Sequence, residues 1–199
     1  MRLAVAVSGR GSNLAALIAA LPAGGPADIV LVLSNRADAA GLALARDGGI
    51  PTLVLADPLD GAAWLEALET FRVDLVVLAG YLKLVPPAIV ARYRGRILNI
   101  HPALLPAFGG PGMYGRRVHE EVLRARVRVS GATVHLVDEV YDRGPILAQA
   151  QVPVLPEDTP DTLAARVLEV EHRLLPAVVL AAAAAGRPVP LPEPVELPS

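Results

Sequence analysis

The stretch RLAVAVSGRGSNLAALIAAL, residues 2–21, changes its spacing of apolar side chains at the glycines of GRGSN. Residues 2–8 form a short apolar run rich in valine, which is typical of a buried strand. From residue 13 the apolar side chains follow the spacing of a helix, and the glycines before it favour a sharp turn. The stretch therefore predicts a strand, a tight turn and a helix in succession.

The same alternation recurs through the first hundred residues. The further predicted strands are 28–34, 52–56, 74–80 and 96–102, and the further predicted helices are 41–49, 62–71 and 86–93. Near-continuous apolar strands that alternate with amphipathic helices are typical of an α/β fold, in which helices cover both faces of a mostly parallel sheet. Residues 1–101 are therefore predicted to form a Rossmann-like half, with ligands bound beyond the carboxyl ends of its strands.

The pattern changes in the second half of the chain, residues 102–186. The elements predicted there begin with a glycine-rich loop at 106–115, a short helix at 118–125 and two β runs at 131–137 and 146–154. The two β runs are joined by a short polar loop, and so short a connection favours an antiparallel hairpin.

A long helix ends the predicted fold. We expect it to start near Thr159 or Asp161, to be interrupted at Pro176 and to end at Gly186, because proline breaks a helix and glycine commonly ends one. Residues 1–186 then form a single domain. The proline-rich residues 187–199 are predicted to be an extended tail.

The composition excludes several classes of protein. Of the 199 residues 53% are hydrophobic and 19% are charged, too apolar for a disordered chain, and no apolar run approaches the ~20 residues of a membrane-spanning helix. The absence of cysteine excludes disulfides, thiolate metal sites and cysteine nucleophiles. A formal charge of -2 gives no electrostatic argument for a nucleic-acid partner. Without a secretory signal pattern, the expected compartment is the cytoplasm.

The turn GRGSN offers a site for a phosphate. Gly11, Ser12 and Asn13 stand at the start of the first helix, whose free N–H groups and positive dipole end attract anions. A dinucleotide fingerprint requires a third glycine where this chain has Leu14, so a phosphomonoester fits better than NAD. Arg36 leaves open a dinucleotide site in which this arginine binds a 2′-phosphate. The other interpretation is an ordinary glycine-rich turn with Ser12 or Asn13 as a helix cap.

The stretch LNIHPALLP, residues 98–106, places two polar side chains in an apolar run. In a strand Asn99 and His101 point to the same face, with Leu98 and Ile100 on the other. An amide and an imidazole at the carboxyl end of a strand can stabilise an oxygen that becomes negative during a reaction. The alternative is a structural pair, in which His101 is hydrogen-bonded to a loop carbonyl.

The loop DEVYDRGP, residues 138–145, carries an acidic candidate for the same site. Asp142 beside His101 would raise the pKa of the imidazole and fix its orientation. A surface acidic loop is the alternative, and the spacing of its carboxylates matches no metal-ligand pattern, so we expect no metal. His119 is predicted to lie on a helix surface and Trp64 in the core, while His172 could be either core or a substrate neighbour.

Five segments together resemble the phosphoribosylglycinamide formyltransferases, a folate-dependent family of purine synthesis. They are VSGRGSNLAALI (7–18), VLSNRADAAGLALA (32–45), VLAGYLKLVPPAIVARYRGRILNIHPALLPAF (77–108), GATVHLVDEVYDRGPILAQAQVPV (131–154) and EVEH (169–172). The resemblance covers residues 2 to 180. It implies that 10-formyltetrahydrofolate is the co-substrate and that the formyl group passes to the amine of phosphoribosylglycinamide. The implied partners are small molecules, with a monomer or a homodimer both open.

The resemblance also assigns roles to residues. Asn99, His101 and Asp142 match the catalytic groups. Gly11, Ser12 and Asn13 match the loop for the substrate phosphate, and Glu171 matches a carboxylate near the glycinamide. The folate-binding residues it implies are Leu82, Lys83, Leu84, Val85, Asn99 and Val140. Thr133 and His135 are expected to support the site from behind.

Some positions depart from the family pattern. Residues 56–61 lack a basic residue that relatives often carry, and Lys83 stands where several relatives have arginine, which weakens a bidentate contact. Thr133 replaces a serine, and its hydroxyl could still hold a water. Two other functions stay open: a 10-formyltetrahydrofolate hydrolase, with water as the acceptor, and a nucleotide-binding regulator without chemistry.

Overall fold

The computed structural model describes residues 1–22 and 24–192 and contains a seven-stranded sheet. The strands are β1 (Arg2–Val7), β2 (Asp28–Ser34), β3 (Thr52–Val54), β4 (Leu75–Leu78), β5 (Ile97–His101), β6 (Val129–Leu136) and β7 (Ile146–Pro153). Their order is β3-β2-β1-β4-β5-β6-β7. The first five are parallel, whereas β6 is antiparallel to both β5 and β7. This confirms the predicted parallel half and the C-terminal hairpin.

Helices cover both faces of the sheet. They are α1 (Ser12–Ala20), α2 (Ala40–Asp47), α3 (Gly61–Thr70), α4 (Pro87–Arg92), α5 (Arg116–Arg124) and α6 (Pro160–Ala185). Buried side chains of α1, α2, α5 and α6 share one hydrophobic cluster, and those of α3 and α4 share a second on the other face. Trp64 is fully buried in the second cluster, as predicted. The α/β fold class is confirmed.

The long helix α6 starts as expected but is not interrupted. Thr159 is its N-cap and exchanges hydrogen bonds with Thr162, and Gly186 ends it with a φ of 71°. The predicted break at Pro176 is wrong, since the helix continues through this residue. Proline removes one helical hydrogen bond. Leu175 and Val179 on either side are fully buried, so packing holds the helix together there.

The described part of the tail lies against the sheet. The N–H of Leu191 donates to the carbonyl of Leu147, at 2.9 Å, and the Leu191 side chain packs on the first hydrophobic cluster. Residues 193–199 of the predicted tail lie outside the described residues. Within residues 1–22 and 24–192 no helix is both long and apolar enough to span a membrane.

The turn between β1 and α1 is held by a close approach to α2. Gly11 has a φ of +78°, which favours glycine, and a Cβ there would lie 2.6 Å from the Cα of Gly41. The N–H of Gly41 also donates to the carbonyl of Gly9, at 3.1 Å. The backbones of the turn and of α2 therefore touch directly, which fixes where α1 begins.

A paired substitution separates these two demands on glycine. Gly11→Ala is expected to lower the free energy of unfolding by about 3 kcal/mol, because a positive φ and a backbone clash add together. Gly49→Ala has a similar φ of +71° and nothing within 4 Å of the added Cβ. It should cost only about 1 kcal/mol. Urea unfolding measures both, and equal losses would contradict the close approach.

Candidate active site

A cavity of about 600 Å³ lies beyond the carboxyl ends of β1, β4 and β5. These three strands are parallel neighbours, so their ends meet at one edge of the sheet. The cavity wall is completed by the loop between β5 and α5, by the loop between β6 and β7, by α5, and by one face of α6. The sequence-predicted ligand edge is therefore where the structure has its large cavity.

Asn99 and His101 lie on the same face of β5. Leu98 and Ile100, which alternate with them, belong to the hydrophobic cluster on the opposite face. Both polar side chains line the cavity, and only 4% of His101 is exposed. The alternation predicted for this strand is confirmed.

His101 has a protein partner at each ring nitrogen. Its Nε2 donates to the carbonyl of Phe108 at 2.8 Å, since a carbonyl can only accept. Its Nδ1 lies 3.7 Å from a carboxylate oxygen of Asp142. The structural alternative, a bond to a loop carbonyl, and the predicted approach of the acidic loop are therefore both present.

His135 on β6 joins Asn99 to the same carboxylate. The Nδ1 of His135 donates to the carbonyl of Leu136 at 2.8 Å, so its Nε2 can accept from the amide nitrogen of Asn99 at 3.0 Å. This Nε2 also lies 3.5 Å from Asp142. Asn99 and His135 face each other because β5 and β6 pair in this register. His135, predicted to support the site, does contact a candidate catalytic residue.

Asp142 is held in place by the neighbouring loop. Its carboxylate accepts from the N–H of Gly110 at 2.8 Å, and its backbone has a φ of +54°. Burial opposes its ionisation, but the contact with His135, the hydrogen bond from Gly110 and the nearby ring of His101 together outweigh burial, so its pKa is lowered. Asp142 is therefore ionised at neutral pH.

The net shift of the His101 pKa is downward, although Asp142 by itself acts to raise it. Burial lowers the pKa of His101, and the carboxylate of Asp142, which raises it, does not compensate. The carboxylate acts in the predicted direction, yet desolvation of the ring is the larger effect. His101 is therefore uncharged at neutral pH while the cavity has this geometry.

The hydroxyl of Thr133 is fully used by the protein. It donates to the carbonyl of Ala103 at 2.6 Å and accepts from the N–H of Leu105 and from Gln149. The expectation that it could hold a water is therefore wrong. Through these bonds Thr133 holds the loop after β5 in place. Gln149, which was not predicted from the sequence, donates to the carbonyl of Leu105 in the same loop.

The polar end of the cavity is formed by α1 and α6. Ser12 and Asn13 line it, and Asn13 donates to the carboxyl group of Glu171 at 2.7 Å. Burial raises the pKa of Glu171 to about 7, against the smaller opposite effect of this bond. The N-cap of α1 is Gly11, so the alternative with Ser12 or Asn13 as cap is wrong. Gly11 shapes the turn without lining the cavity.

The apolar end is formed by the segment after β4 and by the acidic loop. Leu82, Lys83, Leu84, Val85 and Val140, for which the resemblance implied a role in folate binding, all line the cavity. Leu82 and Leu84 are about half exposed, at 49% and 46%. The hydroxyl of Ser8 donates to Asn35 and accepts from the N–H of Leu82 at 2.9 Å. Ser8, another residue missed from sequence, thus positions this wall.

His119 is buried, so the prediction that it lies on a helix surface is wrong. Only 4% of it is exposed, it lines the cavity, and burial together with the nearby His101 lowers its pKa. A signal was present in the sequence, because His119 stands three residues before Val122 and four before Leu123 and so shares their helix face. Arg10 and Tyr81 also line the cavity without having been singled out.

Amide, imidazole, carboxyl and apolar side chains line the cavity. In the part of the chain that the structure describes, no three histidine, aspartate or glutamate side chains are grouped closely enough to share a metal ion. Together the fold and the cavity define a Rossmann-like α/β protein. Its cavity has a polar end and an apolar end, with an amide, an imidazole and a carboxylate between them.

Comparison with known proteins identifies the family. Residues 1–179 match the family model described as formyl transferase, and the chain belongs to this family. It is 49% identical over 186 residues to the chloroplastic phosphoribosylglycinamide formyltransferase of Arabidopsis thaliana, covering 89% of this chain and 64% of that protein. It is 40% identical to the phosphoribosylglycinamide formyltransferase of Haemophilus influenzae, covering 89% and 85%. This chain is thus shorter than its plant relative.

Solved structures give the same likeness. The phosphoribosylglycinamide formyltransferase of Anaplasma phagocytophilum superposes with a TM-score of 0.86 at 42% identity, covering 92% of this chain and 87% of that one. A formyltetrahydrofolate deformylase of Pseudomonas syringae superposes with a TM-score of 0.81 at 27% identity, covering 92% of this chain and 61% of the other. The shared fold therefore extends to relatives named for a different reaction.

The buried carboxyl group of Glu171 predicts a pH-dependent stability. A pKa raised from 4.5 to about 7 means that folding loses stability as the pH rises from 4.5 through 7. Glu171→Gln removes this loss and should stabilise the protein at pH 8 by at most about 3 kcal/mol, with little effect near pH 4.5. Thermal and urea unfolding at several pH values measure it. The exposed Glu169→Gln is the control, and an equal gain there would contradict the assignment.

Proposed function

We propose that this protein transfers the formyl group of 10-formyltetrahydrofolate to the amine of 5′-phosphoribosylglycinamide, a step of de novo purine biosynthesis. The observation that carries the proposal is the position of Asn99, His101 and Asp142 between the polar and apolar ends of one cavity. Both substrates are small molecules, and the reaction as proposed uses no resident metal ion. We place it in the cytoplasm.

The polar end suits the nucleotide substrate. The N–H groups of the first turn of α1 have no partner inside the helix and carry its positive dipole end, which favours a phosphate beside Ser12 and Asn13. Arg10 lines the same cavity and adds a positive charge. Glu171, bonded to Asn13, then lies near the glycinamide portion.

The apolar end suits the folate. Leu82 and Leu84 expose apolar surface to the cavity, and Val140 of the acidic loop, at 58% exposed, lines it too. A flat heterocycle placed between them would cover this surface, which is a favourable burial of apolar area. The formyl group attached to the heterocycle would then lie beside Asn99. The wall thus orients the group to be transferred.

The chemical step is an attack of the amine on the formyl carbon. A C–N bond forms, and the formyl oxygen becomes negatively charged. The amide N–H of Asn99 and an N–H of His101 donate to this oxygen, each exchanging a present protein partner for it. The growing negative charge favours the protonated imidazole, so it offsets the burial that keeps His101 neutral beforehand.

Proton movement completes the reaction. The attacking amine must lose a proton, and the ionised Asp142 is placed to order a water that carries it away. The bond between the formyl carbon and the folate nitrogen then breaks, and this nitrogen takes up a proton. Tetrahydrofolate and the formylated amide leave the cavity. Because its carboxylate lies beside Nδ1 of His101, Asp142 also stabilises the protonated ring during the step.

A second candidate function is hydrolysis of 10-formyltetrahydrofolate. The likeness to the deformylase of Pseudomonas syringae favours it, because the same fold serves a reaction with water as the acceptor. The two reactions differ only in what occupies the polar end of the cavity. In the hydrolase this end needs no site for a phosphate.

An assay of tetrahydrofolate formation discriminates between the functions. With 10-formyltetrahydrofolate as donor, release of tetrahydrofolate should require phosphoribosylglycinamide and should equal the formylated product in amount. The measurement is the change in folate absorbance, with and without the amine. Equal rates in both reactions would instead show the hydrolase, and no release under either condition would show a binding protein without chemistry.

Loss of the Asn99 amide should affect the chemical step above all. Asn99→Ala is expected to lower kcat by about 10²–10³, the usual effect of removing one donor to a developing oxyanion. Dissociation constants of both substrates, measured by calorimetry, should change little. A kcat close to that of the unchanged protein would remove Asn99 from the mechanism.

A further inference from the structure

His119 is a buried polar side chain that neither the fold nor the proposed chemistry uses. It lies on α5, is 96% buried, and lines the cavity. Its Nδ1 is sealed from solvent and has no hydrogen-bond partner among the described residues. Its Nε2 is not sealed in this way and has no hydrogen bond with residues 1–22 or 24–192 either, so this nitrogen faces the cavity. Burying an imidazole without partners is unfavourable unless a ligand supplies one.

The helices place His119 on the nucleotide side of the cavity. α5 and α1 both pack against α6, so His119, Asn13 and Glu171 come from helices that cover the same face of the sheet. The apolar wall at Leu82 and Leu84 precedes α4, which covers the opposite face. His119 therefore lies with the polar end of the cavity.

Two other polar side chains of this end are bonded to each other, because the Nδ2 of Asn13 donates to Glu171 at 2.7 Å. The Oδ1 of Asn13 and the ring of His119 have no hydrogen-bond partner among the described residues, so both have free bonding capacity for a ligand there. Burial first, and the neighbouring His101 second, lower the pKa of His119, so the ring is neutral at neutral pH. A neutral imidazole suits a hydroxyl or an amide, which can both donate and accept, better than it suits a phosphate.

We infer that the Nε2 of His119 hydrogen-bonds a hydroxyl or amide group of the phosphoribosylglycinamide, and so determines affinity for the amine substrate without contacting the folate. This inference rests on the proposed function. It assigns to α5 a part in substrate selection, because a polar group left without its ligand partner disfavours molecules that lack the matching group.

Three substitutions at one position test the assignment of Nε2. His119→Gln carries its amide to the place of Nε2, His119→Asn carries it only to the place of Nδ1, and His119→Leu removes both. KM for phosphoribosylglycinamide should rise about tenfold in the Asn and Leu variants, the effect of one lost neutral hydrogen bond, and at most about threefold in the Gln variant. KM for 10-formyltetrahydrofolate should stay within about twofold in all three.

A neighbouring substitution controls for damage to the helix. Val122→Ala on α5 removes buried apolar volume, so it should lower the melting temperature while leaving both KM values unchanged. Calorimetric titration of the same variants with phosphoribosylglycinamide alone gives the affinity without turnover. A tenfold weaker affinity in His119→Leu would support the inference directly.

Other outcomes would overturn it. Unchanged KM and affinity in all three His119 variants would show that the ring contacts no substrate. A parallel rise of both KM values with a lower melting temperature, as in a general loosening of α5, would show a structural role. If the unchanged protein forms no formylated product, the proposed function itself fails, and this result is separate from either outcome at His119.

Discussion

The parallel pairing of β1, β4 and β5 is the constraint on which the site depends. Because these strands run in the same direction, their carboxyl ends meet at one edge, and the loops that follow them converge there. The antiparallel β6 then brings His135 directly opposite Asn99. Ser8 at the end of β1 holds the segment after β4 by bonding the N–H of Leu82. Backbone topology thus places the candidate catalytic groups Asn99 and His101, and the loops after β5 and β6 complete the arrangement.

Burial in this cavity acts differently on each ionisable group. It lowers the pKa of His101 and His119, raises that of Glu171, and is outweighed at Asp142 by hydrogen bonds and nearby imidazoles. Each direction follows from the same rule, that low polarity disfavours the charged form unless partners stabilise it. The ionised carboxylate of Asp142 consequently lies in the same cavity as His101 and His119, whose neutral forms are favoured. A negative oxygen formed beside Asn99 would reverse the balance at His101, and this coupling makes protonation part of the chemical step.

Under the proposed function, the two ends of the cavity separate the formyl donor from the acceptor. The apolar wall at Leu82 and Leu84 would then bind the folate, and the polar end would select the acceptor. There the first turn of α1 attracts a phosphate, and His119 offers a neutral hydrogen-bonding group. A water molecule needs neither feature. Under this proposal, the polar end is where this protein would differ from a hydrolase of the same fold.

Local pattern determined the elements, whereas long-range packing determined the environment of the side chains. The alternation of short apolar runs and helical spacing predicted the parallel strands, and the two-residue period of β5 put Asn99 and His101 on one face, because both depend on neighbours in sequence. The sequence could not place Asp142 beside His101, since that contact joins residues 41 positions apart across a loop. It also misjudged His119 and Pro176, whose burial against α6 and within the core depends on tertiary packing. The lowered pKa of His101 could not be predicted for the same reason. Desolvation depends on all the atoms that surround the ring, and only the folded chain determines which atoms these are.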